Sequence, residues 1–432
     1  MTHKVSVYME TYGCSANQSH SEVMLGLLRD ADCHIVENPE KADILVINTC
    51  IVKEPTEKKM IYRIKKIRDD FPYKKLIIAG CMPLAEYKLL RSTEPDASFL
   101  GPHDTLKIVK CIENTLKDIK VEYLEGKTES KLCSPKCRLN PYVNITEISQ
   151  GCLGNCSYCI VKIAKSKLKS YPLGDITRDI EMSLKSGCRE IWLTSQDCGC
   201  YGLDIDSSLT KLLKKVTEMK GDFRTRLGMS NPNHIKRVLS DLISAYRDKK
   251  LYKFLHIPVQ SGSDKVLRDM KRQYVTKDFR EIVTEFRREM PNVTIWTDVI
   301  VGFPGETDKD FKETIKLMKE TKPDFVNVSK FGKRPFTEAE KMEQVPTVTI
   351  KERSRQISDL VDRLSLERNR IWLGKLCQVL VTEKGREKGQ YKGRNMAYKP
   401  VLIETNKDLM GKLVTVRIKD ARKTHLIGSI EE

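Results

Sequence analysis

The chain has 432 residues, 40% hydrophobic and 31% charged, with 77 Lys and Arg against 59 Asp and Glu and a net charge of +18. That length predicts two to four domains with ample core, and the charge favours a polyanion partner, foremost nucleic acid, over a protein that is merely basic and soluble. Fourteen cysteines in a long, helix-rich chain exclude a small disulfide scaffold and point to reduced thiols serving metals in the cytoplasm.

The first 115 residues alternate short apolar runs with helical patterns, as a parallel α/β sheet does. Val5–Tyr12 alternates like a strand, Ser21–Arg29 is helical, and Asp43–Asn48 is a buried-strand run. Pro55–Asp69 places Met60, Ile61, Ile64 and Ile67 at helical spacing, and Lys75–Ala79 is another strand. Cys14, Cys50 and Cys81 each follow one of these strands within three residues. The carboxyl ends of parallel strands share one edge, where ligands bind. Taken singly each thiol reads as a small core residue; their common placement predicts a three-thiol site. Residues 116–137 are polar and read as an interdomain segment, and its Cys133 and Cys137 as incidental thiols.

Cys152-Leu153-Gly154-Asn155-Cys156-Ser157-Tyr158-Cys159 sets three thiols within eight residues with no adjacent fourth. Thiolates suit zinc or iron–sulfur clusters, and a four-iron cluster held by three of them keeps one iron open for chemistry. A zinc knuckle with a distant fourth ligand stays the alternative on spacing alone. From Tyr142 to Phe331 six strand-like runs occur in turn: Tyr142–Ile148, Glu190–Thr194, Arg226–Met229, Phe254–Val259, Thr294–Val301 and Phe325–Lys330. Helical patterns between them predict a parallel, open (β/α)6 barrel. Polar motifs sit at its strand exits: Thr194-Ser195-Gln196-Asp197, Ser230-Asn231-Pro232, Gln260-Ser261-Gly262-Ser263-Asp264 and Gly302-Phe303-Pro304-Gly305-Glu306-Thr307. That is the reactive face of such barrels. Cys198 and Cys200 read as solvent-facing loop thiols.

Ile350–Asn369 reads as an amphipathic connecting helix. Beyond Gly374, the short strands Leu376–Val381, Val401–Glu404, Lys412–Ile418 and Ile427–Ile430, punctuated by glycine, predict a small OB-like β-barrel. Its first loop runs from Lys384 through Arg386, Lys388, Tyr391 and Lys392 to Arg394. Cations that track phosphate around a ring that stacks a base fit single-stranded RNA; an ordinary solvated loop is the alternative. No stretch approaches the roughly 20 apolar residues that span a bilayer, and the N-terminus lacks the apolar core of a signal peptide.

The Cys-x3-Cys-x2-Cys run with Tyr158 before its last thiol resembles the signature of the radical S-adenosylmethionine (SAM) superfamily. The resemblance implies a [4Fe-4S] cluster on Cys152, Cys156 and Cys159 whose fourth iron is chelated by SAM, a 5′-deoxyadenosyl radical from SAM cleavage, and Tyr158 near the adenine. It further implies SAM contacts from Ser195 and Gln196 at the methionyl amino end, Gln260 and Ser261 on the ribose side, and Gly302 by close backbone approach. Thr11-Tyr12-Gly13-Cys14-Ser15-Ala16-Asn17, Asn48-Thr49-Cys50-Ile51-Val52-Lys53 and Ala79-Gly80-Cys81-Met82-Pro83 resemble the N-terminal domain of the methylthiotransferases, implying an auxiliary [4Fe-4S] cluster on Cys14, Cys50 and Cys81. That family has an acid six positions after the first cysteine, where this chain has His20. The C-terminal segment resembles a TRAM domain.

The resemblance therefore spans the chain as an α/β protein in three parts: 1–115, an auxiliary-cluster domain; 138–368, the radical-SAM core; and 369–432, an RNA-binding TRAM barrel. Cys50-Ile51-Val52-Lys53-Glu54-Pro55-Thr56-Glu57, Ser195-Gln196-Asp197 and Ser329-Lys330-Phe331 resemble the archaeal and eukaryotic branch acting on N6-threonylcarbamoyladenosine at tRNA position 37. Resemblance to that branch implies 2-methylthiolation of this base in the anticodon stem-loop. It also implies a cytoplasmic, monomeric enzyme fed by an external low-potential donor of flavodoxin or ferredoxin type. Unlike animal members, the chain stops at Glu432 with no apolar tail anchor. Rival readings are the isopentenyladenosine branch, the branch that modifies a ribosomal-protein aspartate, and an iron–sulfur RNA-binding protein without turnover. A basic TRAM barrel disfavours the basic ribosomal target, and missing fourth ligands disfavour closed, inert clusters.

Overall fold

The computed structural model describes residues 4–52, 54–127 and 129–431; Lys53 of the Cys50–Glu57 run lies outside the described residues. An all-parallel six-stranded sheet comes first, in the order His34–Ile35, Ser6–Thr11, Ile44–Thr49, Lys75–Gly80, Ser98–Leu100, Glu122–Tyr123. Every residue of Ile44–Thr49 is buried, which is why this run is continuously apolar at its start rather than alternating. The last strand lies inside the segment read as a connector. Residues 131–138 are likewise built in: Lys136 Nζ reaches Asp179 at 3.2 Å and the Ile145 carbonyl at 3.2 Å. Gly26 lets this segment cross the first helix, since a Cβ there would lie 2.2 Å from the Pro135 carbonyl oxygen.

The second layer is an open barrel of six parallel strands in chain order. Val143–Glu147, Glu190–Thr194 and Arg224–Leu227 form one triple, and Phe254–His256, Thr294–Val301 and Phe325–Lys330 the other. A Thr225–Leu251 bridge and the Ser230 N–H donating to the His256 carbonyl at 3.0 Å join them. The third strand starts two residues earlier than its apolar pattern suggests, because Arg224 is a strand residue despite its charge. The helix Ser15–Asp30, longer than its apolar stretch implies, lies along the first barrel strand, with Ser19 Oγ donating to the Ile145 carbonyl at 3.1 Å.

Helix Thr347–Arg370 leads to a closed five-stranded barrel, in the order Leu376–Lys384, Gln390–Asn395, Pro400–Glu404, Leu426–Ile430, Leu413–Ala421. The stretch read as one long loop is a hairpin, so Tyr391, Lys392 and Arg394 stand on its second strand. Polar and interrupted by Gly393, Gln390–Asn395 hides its strand character; only closure of the barrel makes it one. The Asn395–Lys399 turn caps the N-terminal end of the six-stranded barrel. There the Lys253 N–H donates to the Met396 carbonyl at 2.7 Å, and Tyr398 lies 4.8 Å from the Tyr252 and Phe254 rings. Among the described residues no helix is long and apolar enough to cross a membrane.

Candidate active site

The loop after the first barrel strand carries Cys152, Cys156 and Cys159. It is pinned at its root by Gly151, whose φ of +70° and tight crossing leave no room for a side chain: a Cβ would sit 2.1 Å from the Lys167 carbonyl oxygen. The Gly151 N–H donates to Gln196 Oε1 at 2.7 Å. Gly154 has both Cys152 Sγ and Cys156 Sγ at 3.7 Å from its Cβ direction, so two sulfurs share one side of the loop. Burial pushes the Cys152 thiol up and that of Cys159 to about 11. Arg272 reaches in, donating from Nη1 to Cys156 Sγ at 3.1 Å and lying 3.5 Å from the Tyr158 hydroxyl. It also bonds Asn231 Oδ1. Asp197 in turn accepts from Asn231 N at 3.0 Å and Nδ2 at 2.6 Å. Asp197 and Asn231 stand in the strand-exit motifs, but Arg272 sits in no motif, and only the fold brings it to the thiols.

Cys14, Cys50 and Cys81 converge at the exits of three adjacent strands of the first sheet. Gly13, at φ +115°, lets the Cys14 loop touch the second strand exit, its Cβ direction lying 3.2 Å from Cys50 Sγ. Asn17 ties the three exits together: Nδ2 donates to the Tyr12 carbonyl at 3.0 Å and the Thr49 carbonyl at 2.7 Å, and Oδ1 lies 3.7 Å from Cys81 Sγ. Burial first, and then the neighbouring thiols, push Cys81 up to about 12. Cys14 is exposed while Cys50 and Cys81 are buried. Among the described residues no three His, Cys, Asp or Glu side chains close tightly enough to chelate one ion.

Between the two trios lies a buried polar seam. His20 Nε2 meets Glu147 Oε2 at 3.1 Å. Burial pushes His20 down to about 3, whereas Glu147, despite its burial, is held ionised by His20 and Lys165. The contact is therefore a neutral imidazole donating to a carboxylate rather than an ion pair. Glu147 on the first barrel strand thus sets a carboxylate beside position 20. Lys165 Nζ, His20 Nδ1 and Glu147 Oε1 are buried there without a hydrogen-bond partner. Arg334 closes the far side, donating from Nη2 to the Ile51 carbonyl at 2.8 Å and pairing with Glu57 at 2.5 Å.

The remaining strand-end residues line the same rim but already hold partners. Ser195 Oγ accepts from the Asp197 N–H at 3.0 Å. Gln260 has a φ of +68° and bridges Asp298 and Ile300 through its backbone. Ser261 is fully buried, its Oγ accepting from the Ser263 N–H at 3.2 Å. Gly302, at φ +74°, donates its N–H to Glu306 Oε2 at 2.8 Å and leaves room for Ile350. Tyr158 packs edge-on to Phe303. Cys198 and Cys200 are not solvent-facing: both are fully buried, because the loop turns inward and seats Cys198 against Gly228, leaving 2.9 Å between its Sγ and the Gly228 Cβ direction. Cys133 and Cys137 lie in the domain seam, where the Cys133 N–H donates to Asp179 at 3.0 Å. On the small barrel Lys384, Arg386 and Lys388 are exposed, Tyr391 is half-buried against the barrel core, Lys392 pairs with Glu383 at 2.7 Å, and Arg394 turns toward the Tyr398 ring.

Three family models match in succession: Uncharacterized protein family UPF0004 over residues 6–101, the Radical SAM superfamily over 146–318 and the TRAM domain over 371–430. The probable threonylcarbamoyladenosine tRNA methylthiotransferase of Methanothermobacter thermautotrophicus is 41% identical over 98% of this chain and 99% of its own length. The threonylcarbamoyladenosine tRNA methylthiotransferase of Homo sapiens is 38% identical over 98% of this chain and 73% of its own. Among solved structures, a radical S-adenosylmethionine methyltransferase from Kitasatospora setae with cobalamin and a [4Fe-4S] cluster bound superposes with a TM-score of 0.58 at 12% identity, over 78% of this chain and 74% of that one. That likeness concerns the fold alone. The strand-exit thiols, the barrel loop and the full-length similarity agree: this chain belongs to the family of the threonylcarbamoyladenosine tRNA methylthiotransferases.

Proposed function

We propose that the protein 2-methylthiolates N6-threonylcarbamoyladenosine at position 37 of tRNA. The observation that carries this reading is the pairing of two three-thiol sites across one seam in a chain whose full-length relatives bear that name. Cys152, Cys156 and Cys159 would hold one [4Fe-4S] cluster and Cys14, Cys50 and Cys81 the other. Such clusters, with SAM, supply reductive radical chemistry at one site and sulfur handling at the other.

The chain's own residues orient and insulate. Gln196 fixes the root of the cysteine loop, and Arg272 offsets thiolate charge at Cys156, a charge-assisted contact. Phe303, Phe331 and Tyr158 form an apolar wall on that loop, which keeps water from a reactive centre. Lys384, Arg386 and Lys388 present charge for the RNA backbone. The reading brings with it an external low-potential electron donor, a monomeric enzyme and work in the cytoplasm, where tRNA is. Mass spectrometry of tRNA nucleosides from a deletion strain tests it. The methylthio group should vanish from threonylcarbamoyladenosine and return with the gene; loss from isopentenyladenosine instead would refute the substrate assignment.

A further inference from the structure

A cavity of about 320 Å³ lies where the six-stranded barrel meets the TRAM turn. Ser15, the residue after Cys14, is on its wall. The remaining wall combines flat rings with cations: Trp192, Trp296 and Tyr398 alongside Arg226, Arg394 and Lys399. Rings stack any base, and cations attract anions, the combination used for unpaired nucleotides.

Arg226 stands out. It is the third residue of Arg224–Leu227, and its guanidinium lies 5.3 Å from the Trp192 and Phe254 ring centres and 5.6 Å from that of Tyr398. Three π faces hold the group in one orientation. Its Nε is buried without a hydrogen-bond partner, and among the described residues no carboxylate pairs with it. Three other arginines of the core are matched by carboxylates: Arg353 with Glu306 at 2.8 Å, Arg368 with Asp324 at 3.1 Å and Arg334 with Glu57 at 2.5 Å. Asp324 also faces the cavity but is taken by Lys399 at 2.9 Å. The buried Glu190 carboxylate feels the Arg226 charge, but its oxygens accept from Trp192 Nε1 at 2.5 Å and Tyr252 Oη at 3.2 Å, so the half-buried guanidinium keeps donors for an incoming anion.

Resting on the function proposed above, we infer that Arg226 receives the carboxylate of the threonylcarbamoyl group while the base lies among the rings. The substituent carries one carboxylate, whereas adenosine and isopentenyladenosine carry none, so Arg226 is the residue that sets substrate choice. A planar guanidinium matches a carboxylate by two parallel hydrogen bonds, which a lysine cannot reproduce.

The test uses the full chain, reconstituted anaerobically, and two synthetic anticodon stem-loops that differ only in carrying adenosine or threonylcarbamoyladenosine at position 37. Fluorescence anisotropy should give at least roughly tenfold tighter binding of the modified loop. Arg226→Met keeps the apolar stem between the rings and should bring the two loops within about twofold by weakening the modified one alone. Arg226→Lys, the milder change should the first variant fold poorly, should lose several-fold of the preference at an unchanged melting temperature. Retention of the full preference in a folded variant, or no preference in the parent protein, overturns the assignment. Equal weakening of both loops also overturns it, since Arg226 would then be a phosphate contact. None of these results depends on turnover, so they are separable from the deletion-strain experiment, whose failure would instead remove threonylcarbamoyladenosine as the substrate.

Discussion

Asp324 is the keystone between the barrel, the connecting helix and the TRAM turn. Its Oδ1 accepts from Lys399 Nζ at 2.9 Å and Arg368 Nε at 3.1 Å, and its Oδ2 from the Ile295 N–H at 3.0 Å and Arg287 Nη2 at 3.4 Å. Asp324 is 3% exposed and Lys399 4%, so solvent cannot replace either partner. Asp324→Asn keeps the shape and removes the charge, leaving three cations around a neutral amide. Breaking a buried pair from one side costs about 3–5 kcal/mol, a large part of the roughly 5–15 kcal/mol that a domain has in total. Urea unfolding followed by tryptophan fluorescence reads that loss. Asp324→Asn with Lys399→Met should recover at least about 1 kcal/mol of it, because the stranded ammonium goes too. Burial alone would raise the Asp324 carboxyl, but Lys399 and Arg368 hold it below the usual carboxylate range. Its contribution is therefore present above the unfolded carboxyl pKa and lost as pH falls through the folded one, so the deficit of the variant should shrink in acid. A cost below about 1 kcal/mol at neutral pH, or strict additivity in the double variant, would refute the reasoning.

Three more outcomes are expected. Gly151→Ala should halve or worse the iron retained after reconstitution, because its Cβ meets the Lys167 carbonyl at 2.1 Å, while Gly154→Ala, with nothing nearer than 3.7 Å, should retain it; iron and sulfide assays decide, and equal loading of the two variants would sink the argument. His20, held neutral by burial with a pKa of about 3, refuses a proton that the unfolded chain accepts below about 6.5. Stability should thus fall from about pH 6.5 to 5 by up to about 1.4 kcal/mol per pH unit from this group, and His20→Asn should flatten that slope; an unchanged slope means that another group is responsible. Replacing Lys384, Arg386 and Lys388 together by alanine should lower the slope of log affinity against log salt for tRNA by about 2, near 0.7 per lost phosphate contact, and an unaltered slope would place the RNA elsewhere.

Much of the architecture is legible in the residues. Five of the six barrel strands lie where their apolar runs place them, and the βα alternation puts both thiol trios at strand exits because parallel strands must all end on one edge. The small barrel is harder to read. Gln390–Asn395 is polar and carries glycine, so its pairing is set by closure with strands distant in the chain rather than by its own propensity. Cys198 and Cys200 look like loop thiols because local composition cannot report that a loop turns inward.

The thiol spacing, the basic tail and the order of the three parts are properties of the linear chain, since ligand spacing within a loop and a surplus of charge are local or additive. The partners of those thiols are not. Arg272 comes 113 residues after Cys159 in the chain, Glu147 meets His20 across 127 positions, and Arg226 faces an aromatic cavity whose wall comes from all three parts of the molecule. Such contacts carry no periodicity and no motif. They exist because packing buries a cation or an imidazole at a definite place, and burial then dictates which anion, ring or ligand must answer it.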